Sequence, residues 1–523
     1  MQRKSNTAAF RIAIIIALGG FLMGFDASVI SGVVKFIETD FDLTKLQLGW
    51  AVSSLTLTST LAMLISGPIS DKFGRRETLK VAAALYGISA IWSALATSFT
   101  GLVIARMLGG FGVGASLIIA PMFIAELAPP KIRGKMVSFN QLNIVLGISV
   151  AFFSNYLILQ WGKSGSAIAE SLNIGTYNWR WMLGVESIPA ILYFTFLFFV
   201  PRSPRWLVLK KYSDEALKIL KKLDPVNASM QLQAIQNSLK EEKNKNEKSR
   251  FRDLFKPALR NVLIIGVVIA AAQQLSGINA VFFYAPMIFE QTGIGTDASF
   301  VQAILVGLTN LVFTLVAIAL IDKLGRKPLL LYGMGGIVIM MVVLGTSFSK
   351  ATYEITPESY ALMAEKGLTE LESMVGQSFD NELKFTGHVE DLIGEEKTLK
   401  HSAYIISEAI SINSYAVLFG IIGFVAAFAV SLGPVMWVLF SELFPNYIRG
   451  LAISFAGFVN SAVSFTVQLV FPWELANLGN AATFYIFGGF IFMAWFYVYL
   501  RIPETKGVPL EQLEQVLTRK KNS

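Results

Sequence analysis

The stretch that decides the fold is residues 71–76, which read DKFGRR and lie between two long apolar runs. A close copy, DKLGRK, occupies residues 322–327, again between two apolar runs. A second motif also repeats, because AEL and IRG in residues 125–134 return as SEL and IRG in residues 441–450. The two copies of this second motif are further apart than the copies of the first, and the extra distance is about the length of a polar segment at 350–411. The sequence therefore predicts two similar halves, with a segment inserted into the second.

Composition places both halves in a membrane. Of 523 residues, 54% are hydrophobic and only 15% are charged, whereas soluble domains average roughly 25% charged. A helix needs roughly 20 apolar residues to cross a bilayer. The fold class that we predict is an all-α membrane protein with 12 transmembrane helices in two six-helix halves. We expect its spans near residues 12–34, 48–69, 80–97, 101–128, 136–159, 181–200, 259–290, 301–321, 328–348, 412–440, 451–471 and 482–502.

The distribution of basic residues predicts the orientation. Four short loops on one side carry 11 Lys and Arg residues, and four loops on the opposite side carry 4. The positive-inside rule then places both termini and the basic linker in the cytoplasm and the acidic segment 350–411 outside. The first span has no small-residue cleavage signature, so we expect it to be retained. The predicted domains are an N-terminal bundle at 1–201, a helical linker at 202–258, a C-terminal bundle at 259–502 containing the insert 350–411, and a tail at 503–523.

Two charged residues fall inside predicted spans, Asp26 in the first and Arg106 in the fourth. Burying a charge in lipid costs several kcal/mol, so such residues are functional candidates. A carboxylate beside an arginine stays ionised, and separating the two in a dry site favours protonation. We predict a proton-coupling pair, with a purely structural ion pair as the alternative.

Amide side chains are concentrated in the spans. Span seven contains Gln273, Gln274 and Asn279 within seven residues. Amides both donate and accept hydrogen bonds, which suits a neutral polyol, although interhelical packing could explain any one of them. Trp437 follows a Gly-Pro pair in span ten and could cover the C–H face of a sugar ring, or simply pack in the bundle. The candidate substrate-binding residues are Gln141, Gln273, Gln274, Asn279, Asn310, Trp437 and Asn460.

Other chemistries find little support in the sequence. There is no cysteine, and the two histidines, His388 and His401, have a spacing that matches no metal motif. The glycine-rich run at 109–114 follows no strand, and no phosphate-binding loop of the GxxxxGK[ST] type is present. We therefore expect no metal, no cofactor, no nucleic-acid partner and no enzymatic activity.

Taken together, these motifs resemble the sugar porter family of the major facilitator superfamily, most closely its bacterial pentose and hexose–proton symporters of the D-xylose–proton type. The resemblance rests on residues 67–76, the run PRSPRWL at 201–207, residues 273–279 and the run PETKG at 503–507. It implies that Asp26 carries the proton, and it implies a cytoplasmic gate of charged residues. This gate would contain Asp71, Arg75, Glu126, Arg133, Asp322, Arg326, Glu442 and Arg449. Three positions depart from the symporter pattern: Ser461 replaces a Trp, Ile148 a Gln and Phe283 a common Tyr.

From these observations we predict a multi-pass transporter of the bacterial inner membrane. It would import a monosaccharide of the xylose, glucose, galactose or arabinose class with a proton by alternating access, as a monomer in the lipid bilayer. A facilitative uniporter for the same sugars is the first alternative. A transporter-like sugar sensor is the second, although the linker is short for an output domain.

Overall fold

The computed structural model describes residues 2–128, 133–244, 251–257, 259–445 and 448–506. In this part of the chain, eleven helical segments are long and apolar enough to cross a membrane. The last, Arg449–Arg501, has 53 residues, and at 1.5 Å per residue it would extend about 80 Å. That is far longer than the roughly 30 Å of a hydrocarbon core. Its backbone breaks at Gly479, where φ is 77°, so the segment forms two spans and the predicted total of twelve is confirmed.

The first half of the chain contains the first six spans and the linker. Its short 3₁₀ turns lie at Leu197–Phe199 and Phe251–Phe255. Its helices are α1 (Gln2–Asp40), α2 (Lys45–Phe73), α3 (Arg75–Leu95), α4 (Phe99–Leu127), α5 (Arg133–Lys163), α6 (Ala167–Ser171), α7 (Asn178–Gly184) and α8 (Ser187–Phe196), followed in the linker by α9 (Pro204–Leu209), α10 (Ser213–Leu223) and α11 (Ala228–Asn244).

The second half contains the remaining spans and the insert. Its helices are α12 (Arg260–Leu275), α13 (Ile278–Glu290), α14 (Gly295–Leu324), α15 (Arg326–Ser349), then α16 (Pro357–Glu365), α17 (Glu382–Ile393) and α18 (Glu395–Ala409) in the insert, and finally α19 (Ser414–Val430), α20 (Leu432–Leu443) and α21 (Arg449–Arg501).

Three of the spans are broken helices. Span six is interrupted between α7 and α8, next to Glu186, and span seven between α12 and α13, where Gly277 has a left-handed φ of 81°. Span ten breaks at Ser431, two residues before its Gly-Pro pair, and such residues loosen a helical backbone. Proline lacks an N–H and is tolerated in the first turn of a helix, so Pro434 lies just inside α20 and the break precedes it. Broken helices of this kind often line binding sites in transporters.

The chain divides into two compact units. The first unit contains Met1–Val29, Ser54–Ala151 and Arg180–Asp253, and the second contains Ile30–Ser53, Phe152–Trp179 and Leu254–Ser523. In the first unit, side chains of the linker helices join the core of the spans, because Ile219 and Leu223 of α10 pack in the same cluster as Phe123 and Tyr193. The linker is therefore fixed to the end of its bundle. We call this end of the spans the linker side, and the opposite end, which carries residues 350–411, the insert side.

The second unit includes the insert-side ends of α1, α2 and α5, which pack against the second half of the chain. Lys35 Nζ lies 2.8 Å from Glu290 Oε1, and Lys163 Nζ lies 2.6 Å from Asp297 Oδ1. Gly49 is so close to α21 that an added Cβ would overlap the backbone oxygen of Leu469. Contact this close between backbones means that these helix ends are closed on the insert side.

The insert, for which the sequence pattern predicts no definite structure, is a small α/β fold. Strands β1 (Thr352–Glu354), β2 (Ser378–Phe379) and β3 (Ile410–Ser411) form an antiparallel sheet in the order β2-β1-β3. Helices α16, α17 and α18 pack on it around a core of its own that includes Tyr353, Met363 and Phe385. The rings of Tyr353 and Phe385 stack with centroids 5.6 Å apart.

Candidate functional site

The break in span seven is surrounded by amide side chains that hydrogen-bond to one another. The Gln274 amide nitrogen donates to Gln273 Oε1 at 3.2 Å and to Asn460 Oδ1 at 3.1 Å. The Asn279 amide nitrogen donates to Gln274 Oε1 at 2.8 Å and to Ser464 Oγ at 2.7 Å. Asn460 completes the group by donating to Gln273 Oε1 at 2.8 Å. We call Gln273, Gln274, Asn279 and Asn460 the amide cluster.

Two broken helices meet at the amide cluster. Gln273 and Gln274 end α12, and Asn279 begins α13 after the left-handed turn at Gly277. The Gln273 amide nitrogen also donates to the backbone oxygen of Leu432 at 3.0 Å, beside the break in span ten. Each buried amide therefore has partners within the protein, as buried polar groups require. A ligand rich in hydroxyl groups could exchange for these partners, because it offers both donors and acceptors.

The remaining predicted substrate residues lie in three different settings. Asn310 on α14 is buried, but in the described part of the chain it forms no hydrogen bond with the amide cluster. Trp437 on α20 is 42% exposed, and an added Cβ at Gly457, one turn before Asn460, would lie 3.9 Å from its ring. The indole is therefore an exposed aromatic surface near the cluster. Gln141 belongs to the first unit and is exposed on α5.

Asp26 and Arg106 come together in the first unit. Arg106 Nη1 lies 3.6 Å from Asp26 Oδ1, and both side chains are almost completely buried. This is an ion pair at a distance longer than a hydrogen bond. Asp26 Oδ2 and Arg106 Nε have no hydrogen-bond partner in the described structure. The absence of a side chain at Gly109 leaves room for the carboxylate of Asp26, since a Cβ added at Gly109 would lie 3.1 Å from Asp26 Oδ2.

A second carboxylate near this pair is missing from the predicted site. Glu186, at the break in span six, is 4% exposed and interacts electrostatically with both Asp26 and Arg106. Its Oε1 has no hydrogen-bond partner among the described residues. Two buried carboxylates thus interact electrostatically with one guanidinium. Glu186 lies inside the predicted span 181–200. This position could have identified it from the sequence, because a carboxylate in a span is itself a functional candidate.

The DKFGRR motif builds a buried ion pair in the first unit. Arg75 Nη2 lies 3.1 Å from Glu126 Oε1, and Arg75 Nη1 lies 2.6 Å from Asp71 Oδ1. Arg75 Nη1 also donates to the backbone oxygen of Ser70 at 3.2 Å. The Ser203 hydroxyl donates to the other oxygen of Glu126. Arg75 and Glu126 are nearly buried, whereas the side chain of Asp71 is 57% exposed.

The repeated motif builds the same arrangement in the second unit. Arg326 Nη2 lies 2.8 Å from Glu442 Oε1, and Arg326 Nη1 donates to the backbone oxygen of Ile321 at 3.1 Å. The Thr505 hydroxyl donates to Glu442 Oε2 at 2.6 Å, in the position that Ser203 has in the first unit. Glu504 additionally accepts from the backbone N–H groups of Arg326 and Lys327 at 3.0 Å each. Ser203 and Thr505 are further residues that the sequence prediction missed, although both follow a proline by two positions.

The other predicted gate residues are only partly described. Arg449 donates from Nε to the backbone oxygen of Phe444 at 3.0 Å. The side chains of Arg133 and Asp322 lie outside the described residues. Each described half of the gate is thus an Arg–Glu pair supported by a hydroxyl and a backbone oxygen.

The sequence of this chain matches a family of known proteins. Residues 12–364 and 398–517 match the family described as sugar (and other) transporter. The arabinose-proton symporter of Bacillus subtilis is 34% identical over 516 residues, which cover 98% of this chain and 96% of the relative. The D-xylose-proton symporter of Escherichia coli is 35% identical over 547 aligned residues, covering 98% of this chain and 97% of the relative.

Solved structures give the same result. The inward-open xylose transporter XylE from E. coli superimposes with a TM-score of 0.73 at 32% identity, covering 97% of this chain and 99% of that one. The proton:xylose symporter XylE of the major facilitator superfamily, bound to 6-bromo-6-deoxy-D-glucose, gives a TM-score of 0.69 at 33% identity over 98% of this chain. On the family match and this whole-length similarity, the chain belongs to the sugar transporter family of the major facilitator superfamily.

Proposed function

We propose that this protein is a secondary active transporter that imports a monosaccharide together with a proton. Like the other members of its family, it is a transporter and not an enzyme. The observation that carries proton coupling is the buried Asp26 with one oxygen near Arg106 and the other unpaired. A carboxylate in such a site changes protonation readily when its cationic partner moves away.

We assign the sugar site to the amide cluster together with Gln141, Asn310 and Trp437. The cluster offers amide donors and acceptors beside the half-exposed indole of Trp437. A sugar has hydroxyl groups around a ring with apolar C–H faces, so amides and an aromatic surface match both of its properties. The substrate class that follows is a neutral pentose or hexose of the xylose, glucose, galactose or arabinose type, as the relatives' names also suggest.

Alternating access would move the two six-helix halves, 1–201 and 259–502, against one another. The close packing of Gly49 against Leu469 represents the state closed on the insert side. The Arg75–Glu126 and Arg326–Glu442 pairs shape the linker-side gate in each half. A gate that biases the equilibrium without substrate makes opening depend on the ligand.

The proposed location is the bacterial inner membrane, with both termini and the linker in the cytoplasm and the insert outside. The support is the excess of Lys and Arg in the loops of the linker side. The proposed oligomeric state is a monomer.

Uptake of radiolabelled sugars into proteoliposomes tests this function. Xylose, glucose, galactose and arabinose would be compared with and without an inward proton gradient, and then with a protonophore. We expect one or two of the sugars to accumulate and the protonophore to abolish the accumulation. Equilibration without accumulation would identify a uniporter, and absence of transport for all four sugars would contradict the substrate assignment.

A further inference from the structure

A cavity of about 400 Å³ at the linker side of the first unit is lined mainly by cations. It lies between the start of α3 and the linker helix α10. Arg76, Arg202, Lys218 and Lys222 contribute four positive charges, and Glu215 is the one carboxylate among its described lining residues. We call these four cations and their cavity the basic cavity. It belongs neither to the amide cluster nor to the gate.

The protein neutralises only part of the positive charge of the basic cavity. Arg202 Nη1 and Glu215 Oε2 are 3.7 Å apart, beyond hydrogen-bond distance, and both side chains are nearly half exposed. Arg76 is satisfied by Glu77, 2.7 Å from its Nη2. Lys218 and Lys222 form no ion pair with any carboxylate in the described part of the chain. The cavity therefore retains at least two cations available for an anionic ligand.

Helix α10 holds these lysines in place. Ala216, Ile219 and Leu223 on one face are buried in the core of the first unit, while Lys218 and Lys222 are exposed on the other. An amphipathic helix with its apolar face in the protein core presents its polar face to the surface. The two ammonium groups are presented beside the cavity without requiring the linker to rearrange.

The basic cavity lies at the linker-side end of the spans. Arg76 is the second residue of α3, and it donates from Nη1 to the backbone oxygen of Val200, just after span six. Immediately before Val200, Phe198 and Phe199 are 54% and 75% exposed on the surface of the spans. Large exposed phenyl rings adjoining a set of cations offer a place for an acyl chain beside a place for its headgroup.

We propose that the basic cavity binds the phosphate diester headgroup of an anionic phospholipid, with the acyl chains against Phe198 and Phe199. Basic pockets at the ends of spans are suited to phosphate headgroups, and each Lys or Arg near an anionic surface contributes favourably. The exposed phenyl rings favour a lipid over a soluble phosphate, which would gain nothing from them. This site is independent of sugar and proton binding.

Native mass spectrometry of the full chain in detergent tests the proposal. The protein would be titrated with phosphatidylglycerol, with phosphatidylcholine and with inorganic phosphate. The test variant is Lys218→Gln/Lys222→Gln, and the matched control is Lys210→Gln/Lys221→Gln, which removes two exposed linker charges outside the cavity. Because the four lysines are exposed, we expect both variants to melt at the wild-type temperature without added lipid.

We expect the wild type to bind phosphatidylglycerol in preference to phosphatidylcholine, the test variant to bind it roughly tenfold more weakly and the control to stay within about twofold. Equal loss in both variants, or no loss in the test variant, would overturn the proposal. Equal binding of the two lipids would do the same. Binding of inorganic phosphate as tight as that of phosphatidylglycerol would assign the cavity to a soluble anion and overturn the lipid assignment.

Discussion

The two carboxylate oxygens of Asp26 have different surroundings, and this difference is the basis of the proposed coupling. Oδ1 faces Arg106 at 3.6 Å, whereas Oδ2 has no hydrogen-bond partner in the described structure. The sequence predicts this pair because charged residues stand out in apolar spans. Glu186 is absent from the predicted site, although its place inside a predicted span makes it a candidate by the same argument. The sequence shows which charged residues lie in the spans, but it does not give the distances between them.

Removing one amide of the cluster should weaken sugar binding. Gln274→Ala deletes the group that bonds to Gln273, Asn279 and Asn460, so the sugar loses a contact and the cluster loses order. We expect the dissociation constant to rise about ten- to a hundredfold, as lost buried hydrogen bonds of about 1–3 kcal/mol imply. Quenching of tryptophan fluorescence by sugar measures it. The control Asn477→Ala, an exposed amide on the same helix as Asn460, should bind as the wild type does, and equal weakening in both variants would refute the site.

The two acidic partners of Arg75 should differ in their effect on stability. Glu126→Gln leaves a nearly buried guanidinium with a weakened partner, and we expect a loss of about 3 kcal/mol. Asp71→Asn changes a carboxylate that is 57% exposed, for which we expect about 1 kcal/mol or less. Thermal unfolding in detergent compares the two directly. Similar losses would contradict the view that burial distinguishes them.

At the scale of elements, the insert-side closure depends on a glycine. Gly49→Val on α2 would push into the backbone of Leu469, so the insert-side helix ends could no longer close. We expect sugar transport to fall at least tenfold while sugar binding persists, because the amide cluster is untouched. Gly67→Val is the matched control, since an added Cβ on this other glycine of α2 meets nothing within 4 Å. Normal transport by Gly49→Val would show that this packing is not needed for the cycle.

The insert is attached to the end of the spans through Glu382, the first residue of α17. Its Oε2 accepts hydrogen bonds from the side chain of Asn480 at 3.2 Å and from the backbone N–H of Asn480 at 3.4 Å, next to the break at Gly479. Burial raises the pKa of Glu382 above its ordinary value of 4.5, although the hydrogen bonds from Asn480 oppose this shift. The attachment therefore contains a carboxyl group whose pKa lies above the ordinary glutamate value.

Protonation of Glu382 should stabilise the folded protein. A carboxyl group with a raised pKa binds its proton more tightly when folded, so its contribution to stability falls as the pH rises through that pKa. On lowering the pH from 7 toward the ordinary pKa of 4.5, the stability of the wild type should improve relative to that of Glu382→Gln, which cannot titrate. Thermal unfolding at both pH values measures this. In Glu395→Gln, which changes the exposed first residue of α18, the difference from wild type should not vary in this way. A constant difference for Glu382→Gln would contradict the assignment.

For the whole molecule, the sequence predicts the number of spans and the two halves, because apolar length and repeated motifs do not depend on tertiary contacts. The repeated Arg–Glu pairs confirm the internal repeat in three dimensions. The break in span six and the insert fold could not be predicted in the same way. Strands of two or three residues, such as Ser378–Phe379, carry no usable periodicity, and the core around Phe385 forms only when distant segments meet.

Proton-coupled import is the central claim for the whole molecule, and accumulation by Asp26→Asn proteoliposomes tests it most directly. The wild type and the variant would be compared in two assays, uphill uptake driven by an inward proton gradient and sugar exchange at equilibrium. We predict that the wild type accumulates sugar in the first assay, and that Asp26→Asn loses accumulation but retains exchange, because it still binds sugar and changes conformation. Accumulation by Asp26→Asn equal to that of the wild type would contradict the account.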